Sequence, residues 1–216
     1  MLKHACSLFV LGILLLIPAS AGAHRLDEYL QATRVGIERD RVNVDIDLTP
    51  GVSIAGQVRE WLDLNGDGEI SSTESIAYGR QVLASLAMSV DGEPVPLNGL
   101  DAHAPTIAEM AMGLGIIRVR ASGIIPSRSG RHQLTIINTH HPESGVYLAN
   151  ALVPSDKGIE ILGQRRSADQ HSLTIEYEVG MSAYRMRLSW LAAAVTLLGT
   201  AFWGRRRLSH LTAEQV

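Results

Sequence analysis

Residues 41–48 read RVNVDIDL, with Val42, Val44, Ile46 and Leu48 at every second position and Asp45 and Asp47 between them. Successive side chains of a β-strand point to opposite faces, so this octet buries one face and turns its two aspartates to solvent. A helix has no use for such a pattern, because its faces recur about every 3.6 residues. Shorter runs of the same β-rich character recur at 116–119, 133–138 (QLTIIN), 146–153 (VYLANALV), 159–162 and 173–179 (LTIEYEV), separated by Gly, Pro, Asn and Asp. Residues 88–97, MSVDGEPVPL, hold Asp91-Gly92 between two short apolar runs, a hairpin signal. About seven half-buried strands in one unit predict a mainly β protein, an antiparallel β-sandwich. Residues 105–115 read as a loop.

One stretch, residues 53–87, breaks the period of two. Ile54, Val58, Trp61 and Leu62 follow helical spacing, as do Ile76, Leu83, Leu86 and Ala87. The expectation is a helix-loop-helix inserted between the strand that ends near Leu48 and the hairpin near Val90. Its loop is DLNGDGEISSTE, residues 63–74, which matches D-x-[DN]-x-[DN]-G-x5-E at every fixed position. Calcium takes six to eight oxygen ligands from such a loop. Asp63, Asn65 and Asp67 supply side-chain oxygens at positions one, three and five, and Gly68 permits the turn at position six. Glu69 offers its backbone carbonyl, Ser71 acts through a water, and Glu74 closes the shell with both oxygens. Ser71 and Glu74 also form an S-x-x-E capping box for the exiting helix. A plain polar turn at Asp-Gly explains neither Glu74 at the twelfth position nor Ile70 at the eighth. These loops usually pair through position eight, so with one loop in the chain Ile70 needs another strand to meet. A single extracellular site of this kind holds calcium at about 10⁻⁴–10⁻³ M, which makes the ion structural. Magnesium suits the seven-oxygen arrangement poorly.

The ends of the chain are apolar. Residues 1–23 have a short positive start at Lys3, an apolar run over 8–17, and Ala21-Gly22-Ala23 before a cleavage point, the layout of a signal peptide. Cleavage there makes His24 the new N-terminus; an uncleaved anchor is the competing reading. Residues 188–204, LSWLAAAVTLLGTAFWG, carry no charge. At about 1.5 Å per residue they reach the short limit of a membrane-spanning helix. Trp190 and Trp203 suit the interfaces, and Arg205, Arg206 and Arg207 suit the cytoplasmic side. The predicted order is a signal peptide at 1–23, an extracytoplasmic domain at 24–179, a linker at 180–187, one transmembrane helix at 188–204 and a cytoplasmic tail at 205–216. A buried core helix at 188–204 is the alternative, and it leaves the triple arginine unexplained.

Between the apolar ends the chain is mildly acidic: residues 24–187 hold 15 basic and 21 acidic side chains, a net charge near −6. That balance excludes the basic footprint of a nucleic-acid binder. The one cysteine, Cys6, falls in the leader, so a processed domain has no disulfide, no cysteine zinc site and no thiol chemistry. No nucleophile, zinc-protease or phosphate-loop motif is present, and the expectation is a protein that is not an enzyme. A processed His24 would bring an amine and an imidazole together, a pair that suits copper or nickel; a residue with no role beyond the cleavage site is the plainer reading. His140 and His141 precede Pro142 in a turn-like stretch, and adjacent strand residues rarely share a metal. His103, His132 and His171 are scattered and read as solvated or hydrogen-bonded.

Three stretches carry a resemblance: AHRLDEYLQAT at 23–33, DIDLTPGV at 45–52 and NTHHPESGVYLANALVP at 138–154. Together they resemble the extracytoplasmic N-terminal region of bacterial membrane proteins related to the HupE/UreJ family, linked to nickel supply for hydrogenase and urease. The permease part of that family has several spans where this chain has one. The resemblance therefore implies an ectodomain that is at most an accessory to a transporter, such as a permease. The function expected is a membrane-anchored, calcium-stabilised binding or accessory module, with nickel or copper handling through His24 as the alternative.

Overall fold

The alternation over residues 41–48 becomes the central strand of a sheet. The computed structural model describes residues 27–180. In β2 (Arg41–Pro50), Val42, Val44, Ile46 and Leu48 are all buried. Asp45 and Asp47 lie on the other face, where Asp47 meets Arg34 of β1 (Tyr29–Ile37) at 2.9 Å and Asp45 meets Arg120 of β6 (Ile117–Ile124) at 3.4 Å. Each buried aliphatic side chain contributes roughly 1.5–3 kcal/mol, whereas exposed ion pairs contribute at most about 1 kcal/mol. Burial therefore sets which face turns inward.

The remaining strands are β3 (Leu86–Val90), β4 (Glu93–Pro94), β5 (Asn98–His103), β7 (Gly130–Asn138), β8 (Gly145–Ala151), β9 (Ile159–Arg166) and β10 (Ser172–Val179). They form two five-stranded sheets, β5-β6-β2-β1-β8 and β4-β3-β7-β10-β9. Residues from both join one buried cluster, with Val44, Ile46 and Val119 from the first and Leu134, Leu173 and Ile175 from the second. One pairing departs from the antiparallel expectation: β1 and β8 run parallel, Tyr29 beside Gly145 and Val35 beside Ala151. The outer edge of β8 is closed by side chains of β9, since Arg166 Nε donates to the Ala149 carbonyl at 2.7 Å and Gln164 Oε1 accepts from Ala151 N at 3.1 Å. A bonded edge is a poor template for stray strands.

The helical insertion consists of α1 (Ala55–Leu62) and α2 (Ser72–Ala84). The helical spacing of Leu86 and Ala87 is not used. Ser85 caps α2, and both residues enter β3 opposite Asn138 and Ile137. The hairpin at Asp91-Gly92 forms with both residues at positive φ, 53° and 85°. Residues 105–115 are not wholly loop. They contain the short α3 (Ile107–Ala111), started by a capping box between Thr106 and Glu109.

The strands define two poles. At one, the β1–β2 turn accepts a hydrogen bond from Ile125 N to the Asp40 carbonyl, and Gly180 N bonds to the Gly158 carbonyl. At the other lie Tyr29, Pro50, Gly145 and Asn138, together with the helices. Ten residues of β2 at about 3.3 Å each put the poles about 30 Å apart. Among the described residues no helix is long and apolar enough to cross a membrane. The expected signal peptide, most of the linker, the transmembrane helix at 188–204 and the tail lie outside the described residues, as does His24.

Candidate metal centre

The two helices are held by their apolar faces. Ala55, Val58 and Leu62 of α1 and Tyr78 and Val82 of α2 are buried, and Ile54, Trp61 and Leu83 pack partly against the same core. Gly79 brings α2 close to β5: a Cβ there would stand 2.7 Å from that of Ala102. Helix α1 stops at Asp63, whose N–H still reaches the Arg59 carbonyl. The chain then turns through Gly66 and Gly68 at φ 73° and 84°, the left-handed region that glycine enters without strain. It restarts at Ser71, the N-cap of α2.

Within residues 63–74 the oxygen-bearing side chains face the loop's own backbone. Asp63 accepts from Gly66 N at 2.8 Å and Gly68 N at 3.1 Å. Asn65 Oδ1 accepts from Asp67 N, and Asp67 Oδ1 from Glu69 N, both at 2.9 Å. Asn65 Nδ2 donates to Asp67 Oδ2 at 2.8 Å. Such short-range bonds curl the chain around the side-chain oxygens. Asn65, Asp67, Glu69 and Ser71 are exposed, Asp63 half-buried, and Ile70 lies half-buried against the core, outside any strand.

Glu74 is different. It is buried, and its carboxylate joins the two ends of the loop. Oε1 accepts from Leu64 N at 2.9 Å and Asn65 N at 3.3 Å, and Oε2 accepts from Ser71 N at 2.9 Å and Ser71 Oγ at 2.7 Å. The Ser71 hydroxyl first, then the Ser71 N–H, hold its pKa below the ordinary carboxylate value. Four bonds match the roughly four lone-pair sites of a carboxylate. A cation entering the loop must share or replace some of them. Among the described residues no three His, Cys, Asp or Glu side chains are drawn together into a metal cluster. The loop's donors are nonetheless all oxygens, its charged donors are three carboxylates, and Gly68 has the conformation the motif needs, a set that fits a hard cation.

Two residues before the loop, Trp61 lies flat on His141, ring centroids 3.6 Å apart and planes 6° from parallel. His141 sits at φ 47° and contacts Glu143 through Nδ1 at 3.1 Å. Beneath this stack runs a buried polar network that the sequence reading missed. Tyr29 Oη and Tyr78 Oη are 2.7 Å apart, and Tyr78 Oη lies 3.0 Å from His140 Nε2. The His140 carbonyl accepts from Gln31 Nε2 at 2.6 Å and Tyr147 Oη at 2.7 Å. Asn138 closes the set by donating to Gln31 and accepting from His140 N. Burial first, with the neighbouring His141 second, lowers the His140 pKa to about 4 and keeps the ring neutral. Burial likewise raises Tyr29 and Tyr78. The available signal was the polar density of NTHHPESG; periodicity gave no reason to bury it.

The other histidines stand apart. His132 engages both ring nitrogens, Nδ1 with Asp91 at 2.7 Å and Nε2 with the Arg128 carbonyl at 3.0 Å. His171 packs on Tyr147 at 4.1 Å. No family model matches the chain, and no curated protein matches it.

Proposed function

We propose that this chain is a membrane-anchored, extracytoplasmic β-sandwich that binds one calcium ion and acts as a binding or accessory module, not as an enzyme. Asp63, Asn65, Asp67 and Glu74 would hold the ion with their side chains, Glu69 with its carbonyl and Ser71 through a water. The observation that carries this reading is the helix-loop-helix itself: a twelve-residue turn with left-handed Gly68, begun at the C-cap of α1 and closed by Glu74 in the first turn of α2. Calcium would neutralise three carboxylates and fix α1, with Trp61, against α2. The role is structural, and the apolar segment 188–204 would tether the domain to the cell membrane, beside a membrane partner such as a permease of the HupE/UreJ type. Millimolar calcium should raise the melting temperature, and Glu74→Gln should abolish the rise. An unchanged melting temperature at saturating calcium contradicts the proposal.

A second reading, an accessory for nickel or copper handling, draws on a different contact. Tyr29 N donates to the Ser144 carbonyl at 2.8 Å, which ties the start of β1 to the turn that carries His141. His24 is five residues upstream. Titration of the processed protein with either ion, against a form extended by one N-terminal residue, separates the readings. Equal weak binding by both forms removes His24.

A further inference from the structure

The described chain ends at the pole opposite the helices. Gly180 N bonds to the Gly158 carbonyl at 2.7 Å, and Arg39 of the β1–β2 turn donates to the Gly180 carbonyl at 3.0 Å. Seven residues, MSAYRMR, then separate Gly180 from the apolar segment at 188. Fully extended, that tether spans about 28 Å. The helical pole is about 30 Å from Gly180. An inverted domain would therefore need a tether stretched to its limit or beyond. The tether's own composition argues against such an extension, since Tyr184, Arg185 and Arg187 suit the headgroup layer and shorten its free length.

The same pole exposes apolar side chains. Val153 is 93% exposed and Ile124 79% exposed. Ile124 pairs with Arg41 at the lower end of β6, and Val153 follows Leu152, whose N–H bonds to the Val35 carbonyl. Single exposed apolar residues are ordinary on protein surfaces; these two stand where the chain leaves the domain. Two acidic groups there are offset, Asp156 by Arg39 at 3.2 Å and Glu178 by Arg131 at 3.5 Å. Glu38, Asp40 and Glu160 also lie at this pole, so the docking rests on the short tether and the apolar side chains and not on charge. We infer that the domain stands on the lipid bilayer by this pole, with Val153 and Ile124 in the headgroup layer, and holds the 63–74 loop and the Trp61–His141 stack away from the membrane. The inference rests on the proposed anchor at 188–204.

The test uses the processed chain, residues 24–216, which has no cysteine of its own, reconstituted in phosphatidylcholine–phosphatidylglycerol vesicles that carry a headgroup nitroxide. A single cysteine at Val153 or at Leu64, which is 60% exposed at the far pole, receives an environment-sensitive fluorophore. The label at 153 should lose most of its emission to the nitroxide and the label at 64 should keep it. Equal quenching of the two labels, or stronger quenching at 64, overturns the inference while leaving the anchor intact. Release of the chain from the vesicles by alkaline carbonate overturns the anchor, and the docking with it.

Discussion

Trp61 and His141 lie face to face at 3.6 Å, and this contact joins the last turn of α1 to the turn between β7 and β8. Tyr29 packs at 6.1 Å from the same indole. Three segments far apart in sequence therefore meet two residues before the candidate calcium loop. Trp61→Ala should destabilise the fold by about 2–3 kcal/mol, less than the 3–5 kcal/mol typical of a fully buried aromatic, because the ring is half-buried. Urea unfolding measures it, and Trp61→Phe should recover most of the loss.

Tyr78 sits between Tyr29 and His140, its hydroxyl within hydrogen-bond reach of both. Tyr78→Phe leaves two buried polar groups short of a partner and should cost about 1–3 kcal/mol. Tyr29→Phe removes an end of the chain of bonds and should cost less. Denaturation of the two variants side by side gives the order.

The neutral His140 makes stability depend on pH. Its folded pKa, about 4, lies below the ordinary value of 6.5. Between those values the unfolded chain takes up a proton that the folded chain refuses. Stability should therefore fall as pH drops from about 6.5 towards 4, with a slope approaching about 1.4 kcal/mol per pH unit. Above 6.5 the group contributes no slope. Glu74, whose pKa is depressed, adds a separate loss at lower pH, as the medium falls through its folded value. His140→Asn should flatten the upper window and leave the lower one, in melting temperatures recorded across pH.

Gly79 marks the closest approach of α2 to β5, with Ala102 Cβ 2.7 Å from where a Cβ would stand. Alanine normally favours a helix over glycine by about 1 kcal/mol. Here overpacking of about 1–3 kcal/mol should outweigh it, and Gly79→Ala should lower the melting temperature.

The parts legible in the sequence were those where one physical requirement acts alone. β2 alternates because one face is apolar throughout, and the helix-loop-helix shows because Gly68 permits the turn and Ser71 with Glu74 caps the helix that follows. β1 escaped notice because two of its inward positions are polar. Gln31 and Thr33 are buried beside Tyr29, Val35 and Ile37, and Gln31 bonds to Asn138 and His140, more than a hundred residues away. β5, NGLDAH, is a largely exposed edge strand whose pairing is interrupted between Asn98 and Asp101, so no apolar alternation marks it. Leu86 and Ala87 continued a helical spacing that Ser85 ends. The place of Glu74 was half legible. Its capping box with Ser71 is written in the spacing, but its bonds to Leu64 and Asn65 depend on how the loop folds back.

Calorimetric titration of the chelator-stripped protein with Ca²⁺ is the most direct test of the proposed function. One site per chain, with binding heat that disappears in Glu74→Gln, is the predicted result. A flat titration of the intact protein would contradict calcium binding and leave residues 63–74 as a turn closed by Glu74 alone.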